Sequence, residues 1–301
     1  NPRRLALPLV AALGGLIVPA GLFVAATAGR ASGWGAGCAT DGAAALAALA
    51  LTGPRLAPSL RVLLASVAIL DNLTALVATA GLDAGRMDPR IALWALAALV
   101  ALALLSRWRR APFFFYAVGF FAVWAFTLKS GLDPALAGLA CALTVPIGAR
   151  RPGQESTIKY FMESLHPYVA FAVLPLFVFT EAGVALKGLR AGDLAQPQPL
   201  AIMLALVVGK PLGVFGAYAG AVWLKIARRP MGVDWRQALG VAMLCGVGFS
   251  VSYFLAGMGG AEPSAPARAA VLLGSIASAL VGGTLVARAE TRRLIAEPRM
   301  A

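Results

Sequence analysis

Apolar runs of about 20 residues, each separated by a short polar segment, recur along the whole 301-residue chain. A run of this length can cross the hydrocarbon core of a bilayer as one α-helix. The strict alternation of apolar and polar residues that marks barrel strands is absent, so the spans are predicted to be helical. We predict about ten spans, at 5–28, 34–52, 57–81, 90–106, 112–129, 134–148, 158–184, 198–224, 234–258 and 267–288.

Composition agrees with this pattern. Apolar residues make up 60% of the chain and charged residues 13%, with a mean hydropathy of +0.81. A soluble domain carries about 25% charged residues, so a soluble enzyme is excluded. The chain also has no glycine-rich phosphate loop that ends in Lys-Ser or Lys-Thr, so ATP use is not indicated. We predict an integral membrane protein that is not an enzyme and needs no cofactor.

The net charge of +13 does not indicate nucleic acid, because the basic residues lie in short loops between spans. Of the 26 Lys and Arg residues, 18 fall on one predicted side and seven on the other, with Lys210 inside a span. The positive-inside rule then predicts that both termini are cytoplasmic, which requires an even number of spans.

Four ionisable residues stand out within the predicted spans: Asp41, Asp71, Glu181 and Lys210. The other acidic residues lie in loops or at span ends. An ionisable side chain at membrane depth is costly and indicates a functional site. Asp71 and the adjacent Asn72 lie deep in a helix that has no turn signal, and a structural bond between helices is the alternative. A buried lysine needs a carboxylate partner, although snorkelling to the membrane surface would also explain Lys210.

Local sequence predicts three irregularities in the helices. Pro211 follows Lys210 directly and predicts a kink there. Glycines on both sides of Thr40 and Asp41 predict a helix that breaks and restarts, with one of these residues capping the second half; a plain N-cap at a span end is the alternative. Gly246 and Gly248 predict a second break within 245–250. Interrupted spans at corresponding positions of two halves are typical of secondary transporters.

The pattern predicts an all-α polytopic membrane protein with two repeats, each of which has a broken middle helix. Within a single transmembrane domain (1–301), we predict a first repeat unit at 1–81, intervening helices at 82–197, a second unit at 198–289 and a cytoplasmic tail at 290–301. Gly209, Gly213, Gly216 and Gly220 form two small-xxx-small pairs, which predict close helix packing. Cys38, Cys141 and Cys245 have no metal-ligand spacing and are predicted to be buried packing residues.

A series of motifs resembles the NhaA family of sodium–proton antiporters. The series includes Ala39-Thr40-Asp41, the segment from Leu63 to Asn72, Gly209-Lys210-Pro211-Leu212-Gly213, and Leu244-Cys245-Gly246-Val247-Gly248-Phe249-Ser250. The order and spacing agree along almost all of the chain. The resemblance implies that the two repeats are inverted and that the two broken helices cross at mid-membrane. By this resemblance the chain also starts at the family's third helix, so it looks N-terminally truncated.

The resemblance implies exchange of Na⁺ or Li⁺ for H⁺ across a bacterial plasma membrane, in sodium and pH homeostasis. It implies that Asp71 is the proton-linked carboxylate paired with Lys210, that Asp41 balances the dipole ends of the broken helices, and that Thr40 lies beside the ion. The implied partners are the lipid bilayer, Na⁺, H⁺ and a second copy of the chain in a homodimer.

One position departs from the family pattern. Asn72 stands where the family has a second aspartate that binds the ion, and asparagine cannot carry a proton. We therefore expect Asp71 and Asn72 to contact Na⁺ and Asp71 to carry the proton coupling. Glu181 is either a compensating carboxylate or a solvated residue at a span end. The alternative function is a degenerate paralogue that does not transport, or a carrier of another solute. A Schiff-base protein built on Lys210 is disfavoured by Pro211 and by ten spans.

Overall fold

The computed structural model describes residues 2–29, 33–53, 58–83, 87–107, 113–146, 156–181, 183, 189–227, 229–230, 232–257 and 264–296, and the regular elements among them are all helices. The predicted all-α class is therefore confirmed. The described α-helices are α1 (Pro2–Ala26), α2 (Gly42–Thr52), α3 (Pro58–Asp83), α4 (Pro89–Arg107), α5 (Phe113–Lys129), α6 (Ala135–Thr144), α7 (Thr157–Tyr168), α8 (Leu174–Glu181), α9 (Ala191–Leu194), α10 (Pro197–Leu204), α11 (Lys210–Trp223), α12 (Trp235–Leu244), α13 (Phe249–Gly257) and α14 (Ala265–Ala296).

Seven described helical stretches are long and apolar enough to cross a membrane: Ala6–Ala26, Trp34–Thr52, Pro58–Ala78, Pro89–Ser106, Thr157–Thr180, Pro197–Trp223 and Ala265–Thr291. Two shorter apolar helices, Phe114–Lys129 and Ala135–Thr144, correspond to two further predicted spans. The predicted span at 234–258 corresponds to α12 and α13, which are separated by a break. The structure is that of a polytopic membrane protein, and the count of ten spans stays a prediction.

Contacts within the chain define two units, residues 1–75 with 181–301 and residues 76–180. In the second unit, α4, α5 and α6 pack around Leu102, Tyr116, Val123 and Cys141. The first unit holds every predicted site residue. Its largest core cluster joins α1, α2, α3, α11, α12 and α14. These two contact units are not the repeat units predicted from the sequence, whose boundaries stay predictions.

Helices α1 and α11 approach each other backbone to backbone in the first unit. A Cβ atom added to Gly213 would lie 2.2 Å from the carbonyl oxygen of Gly14, and one added to Gly209 would lie 2.8 Å from Cα of Pro19. These two glycines therefore mark close packing, as predicted. The second predicted pair does not, because no described atom lies within 4 Å of a Cβ at Gly216 or Gly220.

We expect Gly213→Ala to lower the stability of the folded protein by about 1–3 kcal/mol, because the added methyl group forces the two backbones apart. Gly216→Ala is the matched control, since it makes the same chemical change on the same helix where no described atom is near. The measurement is the thermal midpoint of each variant purified in detergent. Equal midpoints for the two variants would contradict the close approach of α1 and α11.

The kink predicted at Lys210 takes a different form. Lys210 keeps helical dihedral angles (φ −61°, ψ −55°), and a π-helical turn over Ala205–Gly209 precedes it. Pro211 lacks the N–H that would bond backwards in this wider turn, and the Leu206 carbonyl accepts a bond from the Ser278 hydroxyl at 3.4 Å instead. Lys210 itself stays helical, and the irregularity lies in the π turn before it, which accommodates the proline ring.

Candidate ion-binding site

The first break lies between a single 3₁₀ turn (Trp34–Gly37) and α2. Residues 39–41 are not helical, and Asp41 caps α2 by accepting a bond from the Ala44 N–H at 3.0 Å. The helix restarts at the position that the sequence predicts. The part before the break is shorter than a half-helix, because Gly33 begins the turn in a left-handed conformation (φ 81°).

The second break separates α12, which ends at Leu244, from α13, which begins at Phe249. Glycine is required at position 246, because a Cβ there would lie 2.3 Å from the Leu206 carbonyl oxygen. One added to Gly248 would lie 2.0 Å from the Ser252 hydroxyl oxygen. The Ser275 hydroxyl accepts bonds from the N–H groups of Gly248 and Phe249, at 3.2 and 3.0 Å, and so caps α13.

The two breaks contact each other through Asp41. Its N–H donates to the Val247 carbonyl at 2.7 Å, and its buried side chain lies between the two helix starts. One carboxylate oxygen caps α2, and the other accepts from both the N–H and the hydroxyl of Ser250 at the start of α13. The carboxylate thus faces the positive ends of two helices, which stabilise a negative charge there, and no lysine or arginine among the described residues pairs with it.

Lys210 and Asp71 form a salt bridge that is closed off from solvent. Both side chains are at most 1% exposed, and the Lys210 ammonium bonds to Asp71 Oδ2 and to the Cys38 carbonyl. Charges in such a place persist only when they are paired and hydrogen-bonded. The structure therefore brings together Lys210 and Asp71, the pair that the family resemblance implies, and Lys210 does not snorkel.

Thr40 connects the salt bridge to the second break. Its hydroxyl oxygen lies 2.8 Å from Asp71 Oδ2 and 2.7 Å from the Cys245 carbonyl oxygen. A hydroxyl has one proton, so it donates to only one of these oxygens at a time. Asp71 Oδ1, in contrast, is buried next to Gly15 of α1 and has no hydrogen-bond partner among the described residues.

Asn72 faces the first break. Its Nδ2 donates to the Thr40 carbonyl at 2.9 Å, and its Oδ1 accepts from the Thr40 N–H at 3.2 Å. Thr40, Asp41, Asp71, Asn72 and Lys210 therefore form one contiguous set with Gly246 and Gly248 of the second break. The remaining predicted residue, Glu181, is the last residue of α8, and its side chain lies outside the described residues.

Several contributing groups escaped sequence reasoning. The carbonyls of Cys38 and Cys245 belong to the site through their backbone, so their residue type carries no signal; their side chains are free and buried, as predicted for packing residues. Ser250 and Ser275 carried a sequence signal, because both are hydroxyl residues inside predicted spans. Ser250 also lies within the predicted break at 245–250.

A buried carboxylate–ammonium pair beside two interrupted helices whose breaks contact each other, among membrane spans, is typical of a secondary transporter. The chain belongs to the Na⁺/H⁺ antiporter 1 family, whose sequence profile matches residues 1–286.

Curated relatives agree with this membership. The chain is 40% identical over 291 residues to Na⁺/H⁺ antiporter NhaA 2 of Pseudomonas syringae pv. syringae. That alignment covers 94% of this chain and 74% of the relative. It is 40% identical over 286 residues to Na⁺/H⁺ antiporter NhaA of Nitrobacter hamburgensis, covering 93% and 70%. The corresponding protein of Rhodospirillum rubrum is 39% identical over 298 residues, covering 94% and 74%.

Proposed function

We propose that this protein exchanges Na⁺ for H⁺ across the bacterial plasma membrane, with both ends of this chain on the cytoplasmic side and with a homodimer as its assembly. The observation that carries the proposal is the state of the Asp71 carboxylate. One oxygen is held by Lys210 and Thr40, while the other is buried without a described partner. A buried carboxylate oxygen with an unused lone pair is a ligand for a hard cation such as Na⁺.

Competition between cations follows from the charges at this site. Asp71 and Lys210 together are neutral, so Na⁺ binding to Asp71 would leave an uncompensated positive charge in the protein interior. The site returns to its former charge when a proton leaves, and a returning proton expels Na⁺ in turn. Whether the proton resides on Asp71 or on Lys210 in each state, one Na⁺ displaces one proton from the coupled pair.

Asp41 and Asn72 do not add to this count. Asp41 is the other buried carboxylate among the described residues, and its oxygens are occupied by the helix starts of α2 and α13. Asn72 has no titratable proton. The proposed stoichiometry is therefore one Na⁺ for one H⁺, with Asp71, Lys210 and Thr40 at the ion.

No observation favours the alternative of a protein that does not transport. The relatives at about 40% identity are named Na⁺/H⁺ antiporters, and the charged pair and both breaks are assembled in this chain. The loss of one carboxylate changes the expected proton count rather than the class of reaction.

The test is proton movement in vesicles that contain the protein, followed with a pH-sensitive dye after addition of Na⁺, Li⁺ or K⁺. We expect a Na⁺-dependent response that is insensitive to an imposed membrane potential, because one-for-one exchange moves no net charge. Vesicles with the Ser106→Ala variant, altered in the second unit, should respond like the wild type. A folded, inserted protein that gives no response to any of the three cations would contradict the proposal.

A further inference from the structure

Asn72 uses both polar ends of its carboxamide on a single backbone residue. The Nδ2 group donates to the Thr40 carbonyl at 2.9 Å, and Oδ1 accepts from the Thr40 N–H at 3.2 Å. The assignment of nitrogen and oxygen is unambiguous, because a backbone N–H can only donate and a carbonyl can only accept. The two bonds form a clamp between α3 and the first break.

The clamp holds a residue whose backbone N–H and carbonyl have no other partner among the described residues. Thr40 is fully buried in the non-helical segment, where no helical bond serves its N–H or its carbonyl. Buried backbone groups without partners are costly, above all in a membrane interior. Asn72 is therefore the side chain that makes this non-helical segment tolerable at the depth of Asp71.

The two bonds from Asn72 to the Thr40 backbone also fix the position of the Thr40 side chain. From this position the Thr40 hydroxyl reaches both Asp71 Oδ2 and the Cys245 carbonyl. The neighbouring N–H of Asp41 donates to Val247, so the clamped segment is also tied to the second break. The charged groups around the clamp are Asp41, Asp71 and Lys210.

We infer that Asn72 is a positioning residue, which fixes the first break against α3 and so places Thr40 beside Asp71, and that it is not itself an ion ligand. This inference rests on the proposed exchange function. It gives a chemical reason for asparagine at this position. An ionised aspartate has no donor for the Thr40 carbonyl, whereas a carboxamide makes both bonds at any pH.

The test compares Asn72→Leu with the wild type by the dependence of exchange rate on Na⁺ concentration. Leucine has a similar size and can make neither bond. We expect the maximal rate to fall about tenfold, the effect of losing two neutral hydrogen bonds, and the apparent KM for Na⁺ to rise with it, because Thr40 at the ion loses its support. Thr74→Val is the matched control on α3 and should keep the wild-type rate. Among the described residues, the Thr74 hydroxyl bonds to the Asp71 backbone carbonyl of its own helix and to no other group.

Asn72→Asp supplies a conservative rescue. A protonated carboxyl group has the same donor and acceptor arrangement as the carboxamide, so this variant should approach the wild-type maximal rate at acidic pH. At alkaline pH the ionised carboxylate places an oxygen against the Thr40 carbonyl, and the maximal rate should fall towards that of Asn72→Leu.

Three outcomes would overturn the inference. Two concern Asn72→Leu: a rate and KM equal to those of the wild type, or a raised KM with an unchanged maximal rate, as expected for a lost ligand. The third is an Asn72→Asp variant whose exchange is faster at alkaline pH than at acidic pH. A wild type without exchange would refute the proposed function but not the clamp. Thermal midpoints then decide: the clamp predicts a lower midpoint for Asn72→Leu than for Thr74→Val, and equal midpoints would refute it.

Discussion

Replacing Asp71 with asparagine is expected to abolish Na⁺-driven proton movement. The variant leaves the Lys210 ammonium in the interior with the Cys38 carbonyl as its remaining described partner, and it removes the buried Oδ1 atom as an anionic ligand. Breaking a buried ion pair costs about 3–5 kcal/mol, which corresponds to a factor of about 100 or more in binding. The expected loss of exchange is therefore about 100-fold or greater.

Asp88→Asn is the matched control for this variant. The variant makes the same carboxylate-to-amide change at an exposed position. Asp88 Oδ1 accepts a hydrogen bond from the Arg90 N–H at 2.9 Å. Both variants are measured by dye response in vesicles after their insertion has been quantified. Exchange by Asp71→Asn within tenfold of the control would remove Asp71 from the ion path.

The second large effect concerns the stability of the folded protein when the Lys210–Asp71 salt bridge is removed. Its variants distinguish the contribution of the pair to stability from its contribution to transport. Lys210→Met and Asp71→Asn, made singly, are each expected to destabilise the protein by about 3–5 kcal/mol, because each leaves one buried charge unpaired. The double variant has no such charge, so most of the lost stability should return, to within about 1 kcal/mol of the wild type. Exchange should remain absent in the double variant.

Thermal midpoints of the four proteins in detergent measure this coupling. If the two single effects simply add in the double variant, Lys210 and Asp71 act independently, and the salt bridge is not what stabilises the site. If the double variant regains exchange, neither residue carries the ion or the proton.

The membrane class and the helical fold followed from the sequence because a bilayer constrains them so strongly. Each span must satisfy its own backbone bonds and be about 20 residues long, and both conditions are visible as local patterns. The breaks were visible for a related reason: glycine and helix-capping residues inside an apolar run, such as those around Thr40 and Gly246, have no function in an unbroken span.

Local patterns failed where a neighbouring element decides the outcome. Gly213 and Gly216 look alike in the sequence, yet only Gly213 contacts α1. Pro211 predicted a distortion at Lys210, but the distortion lies in the preceding turn, where Ser278 of another helix bonds to the freed carbonyl. That Asn72 contacts Na⁺ stays a prediction, but its two bonds to Thr40, which support the first break, could not be foreseen from local sequence.

The sequence alone determined that this is a membrane protein with ionisable groups at depth, because the cost of burying a charge makes each such residue informative by itself. The sequence indicated that Lys210 needs a carboxylate partner, but not which carboxylate oxygen accepts its hydrogen bond. Only the tertiary structure decided that Asp41 serves two helix starts while Asp71 Oδ1 stays without a described partner. The reason is physical: hydrogen bonds between residues far apart in the chain depend on how the two breaks contact each other, and packing within the first unit sets that contact.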